Sequence, residues 1–548
     1  MAVTIRINGK AHQAREGQLI IDACQDAGIL IPRYCYHPGL PVVGSCRMCL
    51  VQLEGQPKLI PSCQTLVREG INVLTDTDAV RANQRAVMEF LLINHPLDCP
   101  VCDQAGECYL QDYSYRHGRP ISRFVEPKIK QPKKDVGCHV LLYMDRCILC
   151  SRCVRFTREV SGRGELTIVH RGSGSEIDIF PGRPLDDKLS GNVVDLCPVG
   201  ALLDKHFLHS QRAWFLQGAP SVCARCPAGC NITVEHNAGR AWRVKPRINL
   251  DVNGHWICDE GRFGFDYIHR DDRLDHRPRV RPGDDWRELD APDAAEAIRS
   301  RLADLVQTHG LGALAAVLSP MWTTEEQFLL ARLIRSLDPQ ATLAVGPAPV
   351  VGQDITFKGG FTIYAEKAPN RRGGERVLVS AGGPVATFDE LLAAAASGKI
   401  KGLYLAGGYP PDVSGPDRGP DEPVPAVEPW LIEAQSKALA GADGLTLIAH
   451  DLFDQPAHAG AFAVLAGASW AEKDGTFVNV TDRVQRLTAA PIGGRFTVPE
   501  AKVLWQLAGE GGAFSLAAVW RMMEQANVAG YPPPASAPSA RPNPYAGL

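Results

Sequence analysis

Fifteen of the seventeen cysteines, together with one histidine, fall into four sets whose spacing suits metal binding. Every cysteine lies between Cys24 and Cys258, so the last 290 residues contain none. No basic segment followed by an apolar run opens the chain, and we therefore expect no signal peptide. Because the cytosol keeps thiols reduced, disulfides are not expected. The distribution predicts metal chemistry that is confined to the N-terminal half.

The first set has the spacing C-x10-C-x2-C-x13-C and consists of Cys35, Cys46, Cys49 and Cys63. Four thiolates can hold a two-iron, two-sulfide centre, with two thiolates on each iron. The plant-type ferredoxin spacing is C-x4-C-x2-C, so the first gap is longer in this chain. A structural zinc site remains the alternative, because four thiolates satisfy zinc as well.

The second set has only three cysteines, Cys99, Cys102 and Cys108. His95 stands four residues before the first of them, and Pro96 should end the preceding helix there and leave His95 at the entrance of a loop. Since each of the other sets has four cysteines, we interpret His95 as the fourth ligand. A neutral imidazole in place of a thiolate lowers the negative charge of a cluster, which should raise its potential.

The third and fourth sets also have spacings typical of four-iron clusters. The run C-x2-C-x2-C followed by a distant Cys-Pro is related to bacterial ferredoxins, whose fourth cysteine in the run serves a second cluster. Thr157 occupies that position here, so one cluster is predicted rather than two. The ligands would be Cys147, Cys150, Cys153 and Cys197 in the third set, and Cys223, Cys226, Cys230 and Cys258 in the fourth.

Two cysteines lie outside the sets. Cys24 falls on an apolar helical segment and is predicted to be a small core residue, and Cys138 receives no role. The segment from Gly172 to Ile177 lacks the third glycine and the βαβ context of a dinucleotide site, and we interpret it as a turn.

The elements around the first set predict a small α+β domain. Alternating β-branched residues at 3–10 end in Asn8-Gly9, which is a strong hairpin signal, and residues 19–30 have helical apolar spacing. Residues 79–94 are also predicted to be helical. The basic, proline-broken stretch at 128–134 is interpreted as a solvated linker.

Beyond residue 281 the pattern changes to that of an α/β region. Helical segments at 291–308 and 325–337 alternate with short apolar runs at 312–318, 401–405 and 444–449. Residues 526–548, rich in Pro, Ala and Ser from Tyr531 onward, are expected to be disordered.

The bulk properties indicate a multidomain protein of globular composition. Hydrophobic residues make up 45% and charged residues 22% of the 548 residues, and the net charge of −3 implies neither nucleic acid nor an anionic membrane surface as partner. No uncharged apolar run approaches 18 residues, so contact with a membrane is expected only through a larger complex.

The four spacings, in this order, closely resemble the large iron–sulfur subunit family of bacterial NADH:quinone oxidoreductase, complex I (the 75 kDa subunit family). The sequence MDRCILCSRCVRF at 144–156 and the segment 94–108 carry the resemblance. It implies a β-grasp 2Fe-2S ferredoxin domain (1–80), a helical 4Fe-4S module with one His and three Cys ligands (81–135), a bacterial-ferredoxin-like 4Fe-4S module (136–216) and a further 4Fe-4S module (217–275).

The remaining residues, 276–525, resemble a reduced molybdopterin-oxidoreductase fold. The element Glu472–Asn479 with Arg483 and Gln485 carries this resemblance. Active relatives commonly place a lysine two residues after the last cysteine of the fourth set, where this chain has Glu260, and no later cysteine is available to ligate molybdenum. No molybdopterin is therefore expected.

The resemblance implies one 2Fe-2S and three 4Fe-4S clusters and no residue acting as acid, base or nucleophile. The chain would relay single electrons from an FMN- and NADH-binding partner subunit towards quinone-side iron–sulfur subunits. This relay would operate on the cytoplasmic side of the inner membrane, in a complex that translocates protons.

Two other classes of protein remain open. The α-subunit of an NAD-linked molybdenum or tungsten formate dehydrogenase shares the N-terminal modules but usually has eight cysteines in the third, where this chain has four. A soluble NAD-linked hydrogenase subunit is a weaker relative. A structural zinc protein without a redox role is the last alternative.

Overall fold

The computed structural model describes residues 2–283, 285–411, 429–494 and 496–533. The first unit is a five-stranded sheet with the order β2-β1-β5-β3-β4 and one helix packed on it. Asn8 and Gly9 have φ of 51° and 81° between the first two strands, which confirms the predicted hairpin. The predicted helix is shorter than 19–30, because Gly28 at φ 76° follows its end. The elements are β1 Ala2–Ile7, β2 Lys10–Arg15, α1 Ile20–Asp26, β3 Leu50–Leu53, β4 Ile60–Pro61 and β5 Asn72–Leu74.

Two helices frame the second set, α2 Asp78–Leu92 and α3 Tyr109–His117. The side chain of Thr77 accepts a hydrogen bond from the backbone N–H of Val80 and so begins α2, as predicted to within two residues. At the other end of α2 the Lys128 ammonium donates to the carbonyls of Leu92 and Ile93 at 2.8 and 3.0 Å.

The third module contains two small sheets and two short helices. Its elements are β6 Lys133–Asp135, β7 Val140–Tyr143, α4 Arg152–Phe156, β8 Leu166–Val169, β9 Glu176–Ile179, α5 Asn192–Leu196 and β10 Leu202–Asp204. Lys134 lies in β6 and forms ion pairs with Glu176 and Asp178. The interpretation of 128–134 as a solvated linker is wrong for its two ends, because Lys128 closes a helix end and Lys134 pairs with β9, whereas Lys130, Pro132 and Lys133 between them are exposed. The turn predicted at 172–177 is confirmed for Gly172–Gly174, and Glu176 and Ile177 belong to β9.

The fourth module is a three-stranded antiparallel sheet followed by a short helix. The elements are β11 Gln217–Val222, β12 Asn231–Asn237, β13 Arg240–Pro246 and α6 Asp259–Phe263.

The C-terminal region is built on a seven-stranded sheet with the order β15-β14-β22-β21-β20-β16-β17. Its central strands are parallel and fully buried, which explains why they appear in the sequence as short apolar runs. Two further pairs, β18–β19 and β23–β24, are antiparallel. The strands are β14 Arg279–Val280, β15 Arg287–Glu288, β16 Leu314–Leu318, β17 Thr342–Val345, β18 Ile355–Thr356, β19 Thr362–Ile363, β20 Gly402–Ala406, β21 Thr446–Asp451, β22 Ala463–Ala466, β23 Gly475–Val478 and β24 Val484–Leu487.

Helices cover this sheet and confirm the predicted α/β alternation. They are α7 Ala291–His309, α8 Thr324–Leu337, α9 Arg371–Ala381, α10 Phe388–Ala396, α11 Glu433–Ala440, α12 Glu500–Leu507 and α13 Leu516–Gln525. Thr323 and Glu326 form a capping box that begins α8. The fold as a whole is multidomain, with mixed α+β and α/β units as predicted.

The predicted disordered tail begins too early. Tyr531 is buried and its hydroxyl contacts that of Thr476, so the chain is packed at least this far, while residues 534–548 lie outside the described residues. Across the described ranges, no helix combines the length and apolar character needed to span a membrane.

Candidate metal centres

The four cysteines of the first set form two thiol pairs in the loops beside β3 and β4. A hydrogen bond between the side chains of Cys35 and Cys46 lowers the pKa of Cys35 to about 5 and raises that of Cys46. A second bond, between Cys49 and Cys63, lowers the pKa of Cys49 to about 7 and raises that of Cys63. Two pairs of thiols match the demand of a binuclear centre for two ligands on each iron.

The charge of Arg146 acts on two members of the second set, and its guanidinium is buried and pairs with Asp98 at 2.9 Å. Burial, with the charges of Arg146 and Lys128, lowers the pKa of His95 to about 4, so the imidazole is neutral at pH 7. Arg146 also opposes the rise that burial causes in the pKa of Cys102. A neutral imidazole is the form that ligates a metal.

The second set also reaches the third module. Burial raises the pKa of Cys108 to about 12, and the neighbouring charges that add to this rise belong to Cys102 and Cys197. The Cys108 Sγ lies 3.9 Å from the carbonyl oxygen of Pro198. A Cβ at Gly200 would lie only 2.2 Å from the Cys102 Sγ, so this backbone approaches the thiol more closely than any side chain permits.

The third set lines a single cavity whose other walls are mostly apolar. Leu149 and Ser151, between the first three cysteines, have φ of 51° and 60°. The left-handed turn at Leu149 lets its N–H donate to the Cys147 Sγ at 3.3 Å. Such N–H bonds to sulfur tune cluster potential. All four cysteines line the cavity, namely Cys147, Cys150, Cys153 and Cys197.

Ligands of the first three sets share one hydrophobic cluster. Tyr34, Met88 and Tyr113 lie at its buried centre. The cysteines that belong to it or pack against it are Cys46 from the first set, Cys108 from the second, and Cys147, Cys150 and Cys197 from the third. Three predicted sites that are far apart in the sequence are thus contiguous in space.

The fourth set is the most buried. All four thiols are at most 5% exposed, and burial raises the pKa of Cys223 to about 12. The charges of Cys223, Cys226 and Cys258 all act on the Cys230 thiol. A Cβ at Gly261 would lie 2.9 Å from the Cys223 Sγ, so here too a glycine adjoins a candidate ligand.

The C-terminal region holds the fourth-set loop in place. The Val480 N–H donates to the Pro227 carbonyl at 2.7 Å, and the Gln485 side chain donates to the Gly229 carbonyl at 2.8 Å. The Glu260 carboxylate, at the position where active relatives carry lysine, accepts from Lys367 at 2.6 Å and from Lys188 at 3.4 Å. The element Glu472–Asn479 therefore leads directly into a contact with the metal-binding module.

No three His, Cys, Asp or Glu side chains within the described ranges converge at the distance that a single metal ion requires. Cys24 is fully buried in the first-module core, where burial raises its pKa to about 12, as expected of a packing residue.

Four protein-family models match consecutive segments of the chain. They are described as a 2Fe-2S iron-sulfur cluster binding domain (1–78), the NADH-ubiquinone oxidoreductase-G iron-sulfur binding region (84–123), the NADH-quinone oxidoreductase subunit 3 ferredoxin-like domain (137–203) and the molybdopterin oxidoreductase Fe4S4 domain (216–270). Binding domains for both 2Fe-2S and 4Fe-4S clusters are thus present.

Curated relatives match over the same half. The NADH-ubiquinone oxidoreductase 75 kDa subunit of Reclinomonas americana is 36% identical over 349 residues, which cover 64% of this chain and 50% of that protein. The mitochondrial NADH dehydrogenase (ubiquinone) iron-sulfur protein 1 of Solanum tuberosum is 43% identical over 282 residues, which cover 52% of this chain and 38% of that protein. Over this part of its length the chain is similar to the 75 kDa and related iron–sulfur subunits of NADH-quinone oxidoreductase. It spans about half the length of the curated relatives that it matches.

A bacterial relative and one solved structure also match parts of the chain. An NADH-quinone oxidoreductase subunit of Rickettsia felis is 38% identical over 335 residues, which cover 61% of this chain and 49% of that protein. The solved structure, an NAD⁺-reducing NiFe-hydrogenase in the H2-reduced state, has a chain that is 30% identical. That match covers 38% of this chain and 90% of that chain, with a TM-score of 0.35.

The cysteine spacing in the sequence predicted the candidate ligands but not the residues that surround them. Arg146, Gly200 and Lys367 are single residues at large sequence distance from the groups they touch. Only Gly200 could have been noticed in the sequence as a residue near a candidate ligand, because it lies two residues after the Cys197-Pro198 pair that closes the third set.

Proposed function

We propose that this chain relays single electrons within an NADH:quinone oxidoreductase. The observation that carries the proposal is the shared hydrophobic cluster, in which candidate ligands of the first, second and third sets lie side by side. Such contiguity suits stepwise transfer of one electron at a time, and no residue need act as acid, base or nucleophile.

The proposed cofactors are one 2Fe-2S cluster and three 4Fe-4S clusters. The paired thiols of the first set, the neutral imidazole of His95, the shared cavity of the third set and the buried thiols of the fourth support this assignment, whereas Cys99 of the second set is exposed. When bound, the clusters would supply the one-electron redox chemistry, and the protein would tune potentials through ligand type, hydrogen bonds and burial. The proposed ligands are Cys35, Cys46, Cys49 and Cys63 (2Fe-2S); His95, Cys99, Cys102 and Cys108; Cys147, Cys150, Cys153 and Cys197; and Cys223, Cys226, Cys230 and Cys258 (4Fe-4S each).

The proposed partners are the other peripheral-arm subunits of complex I. NADH delivers a hydride, whereas the clusters carry single electrons, so an FMN-bearing partner must split the pair and quinone-side iron–sulfur subunits must accept the electrons. The chain would then lie on the cytoplasmic side of the inner membrane and contact the membrane only through the complex.

We further propose that the C-terminal region carries no molybdopterin. The Glu260 carboxylate and Lys367 neutralise each other beside the fourth set, and Lys473 of the recurrent element is buried between two carboxylates. In this chain these charged side chains form ion pairs with one another. Stoichiometric molybdenum or tungsten with formate oxidation would favour the alternative, an NAD-linked formate dehydrogenase α-subunit.

The function is tested by quantifying iron and acid-labile sulfide in the purified complex, with EPR during stepwise reduction. We expect one binuclear and three tetranuclear signals from this chain, which amounts to about 14 irons by cluster type. Colourless protein that holds zinc and no sulfide would contradict the proposal and establish a structural zinc protein.

The histidine assignment is tested separately by His95→Ala. Loss of the imidazole should alter one tetranuclear signal and leave the binuclear signal and the other two unchanged. His117→Ala is the matched control, because this histidine lies at the far end of α3, outside every cysteine set. If all signals of the His95 variant equal those of the control, the histidine is not a ligand.

A further inference from the structure

Two arginines of the third module extend across to the first. One terminal guanidinium nitrogen of Arg155 donates to the carbonyl of Cys35 and to that of Cys150, the latter at 3.4 Å. The other terminal nitrogen donates to the carbonyl of Pro41 at 2.5 Å. Cys35 and Cys150 are candidate ligands of two different clusters. A single side chain therefore ties the backbones of the two sets together.

Arg152 makes a second bridge deeper in the molecule. Its guanidinium donates to the carbonyl of Tyr36 at 2.6 Å and to that of Leu196 at 3.2 Å, and it lies 5.6 Å from the ring centroid of Tyr109. These three residues adjoin Cys35, Cys197 and Cys108, so Arg152 touches the chain next to a candidate ligand of each of the first three sets. The residue is only 4% exposed.

Neither guanidinium contacts a carboxylate in the part of the chain that the structure describes. All of their hydrogen bonds go to neutral acceptors. These are the backbone carbonyls of Cys35, Tyr36, Pro41, Cys150 and Leu196 and the Ser151 hydroxyl. Arg152 is buried and Arg155 is partly buried, and a cation that is withdrawn from water without a counter-charge is costly. Clusters held by four thiolates are anionic in both oxidation states, and they would supply that counter-charge.

We propose that Arg152 and Arg155 are positioning residues that fix the distance between the first and third sets and raise the potentials of the clusters bound there. This inference rests on the proposed function. Transfer between the two sets moves one electron and makes or breaks no bond. A positive charge close to both sites stabilises the more negative, reduced form at each, and therefore favours acceptance of the electron.

The test uses the assembled complex and an EPR redox titration of the first- and third-set signals. In Arg155→Gln the neutral side chain should lower both midpoint potentials. We expect the reduced-to-oxidised ratio at a fixed ambient potential to fall by about tenfold, which is about 59 mV for a one-electron couple. Arg158→Gln is the matched control, because this arginine lies one turn further along, is exposed and makes none of these contacts.

A second variant separates charge from position. Arg155→Lys keeps the charge, so both midpoint potentials should stay close to those of the wild type. Lysine cannot bridge three carbonyls, so the distance between the two sets should change. That distance is measured by the effect of the reduced third-set cluster on the EPR relaxation of the first-set signal. If Arg155→Gln loses iron, the test rests on Arg155→Lys. An EPR relaxation effect in Arg155→Lys equal to that of the wild type overturns the proposal.

The inference also fails if Arg155→Gln, with full iron content, has the same potentials as Arg158→Gln. Wild-type protein that shows no iron–sulfur signals would instead overturn the proposed function. The two failures are therefore distinguishable.

Discussion

At the scale of single residues, the chemistry depends on thiols and on the groups that come close to them. Burial is the largest cause that raises the pKa of most of these thiols, so the metal-free protein would hold them protonated, and binding an iron–sulfur cluster must release protons. Close backbone approach is the second requirement, and Gly200 beside Cys102 is the clearest case.

Gly200→Ala should impair the second set selectively. The added Cβ would lie 2.2 Å from the Cys102 Sγ, so either the thiol or the backbone after Pro198 must move. We expect loss or broadening of one tetranuclear EPR signal and a deficit of up to about four irons per chain, measured by iron analysis. Gly174→Ala is the control, since nothing lies within 4 Å of its Cβ position. Equal iron content in the two variants would contradict this prediction.

The candidate ligands were predictable from the sequence because they repeat at short, characteristic intervals. The supporting residues were not, because Arg155 is 120 residues from Cys35 and nothing in its neighbourhood announces that contact. His95 lies between these two cases. Counting the ligands of each set predicted it as a ligand, but its low pKa comes from burial and from Arg146, and the spacing reveals neither.

At the scale of elements, periodic segments were predicted well and irregular ones poorly. The helices α2, α7 and α8 begin and end within two residues of prediction, because each has a continuous apolar face. The stretch around Lys134 was mistaken for a linker, because three residues of an edge strand carry no periodic signal. The packing of Tyr531 was missed for a similar reason, since its partner Thr476 lies 55 residues earlier.

A buried ion cluster joins three elements of the C-terminal region and can be tested as a unit. Lys473 lies 2.9 Å from Glu500 at the start of α12 and 3.2 Å from Glu326 in α8, and all three side chains are at most 2% exposed. Lys473→Met would leave two carboxylates buried without a cation. We expect destabilisation of about 3–5 kcal/mol.

Denaturant unfolding followed by tryptophan fluorescence measures this loss, because the Trp322 ring lies 5.8 Å from the Lys473 ammonium. Lys437→Met is the control: it removes an exposed lysine that pairs with Glu433 on the surface, and should cost less than about 1 kcal/mol. Equal unfolding midpoints for the two variants would show that the buried cluster does not stabilise this region.

At the scale of the whole molecule, one apolar core links the metal-binding modules to the α/β region. Phe156 of the third module, Cys230 and Cys258 of the fourth, and Phe453 and Phe477 of the C-terminal region all belong to it. The C-terminal region thus supports the fourth-set module mechanically, whatever its ancestry. Its stability should therefore affect retention of the fourth-set cluster.

That stability should depend on pH through Glu325, which connects α8, β23 and α13. Its carboxylate accepts hydrogen bonds from the N–H and hydroxyl of Thr476 at 2.8 and 2.9 Å and from the Trp520 indole at 2.6 Å. Burial nevertheless raises its pKa from 4.5 to about 7. Between these two values the folded protein binds more protons than the unfolded chain, so the free energy of unfolding falls as pH rises.

Glu325→Gln removes this titration and isolates its effect. The stability of the wild type relative to the variant should fall by about 3 kcal/mol between pH 4.5 and 7 and then level off, because the carboxylate is ionised in both states above pH 7. Glu390→Gln is the control: the hydrogen bonds of an exposed capping box lower the pKa of Glu390 below 4.5, so its contribution to stability changes only below that pH and should be nearly constant between pH 4.5 and 7. Unfolding midpoints measured from pH 4.5 to 7, with tryptophan fluorescence as the signal, should show a slope for the Glu325 comparison and none for the control. A pH-independent difference between wild type and Glu325→Gln would mean that this carboxyl is already ionised at pH 4.5 in the folded protein, held so by its three donors.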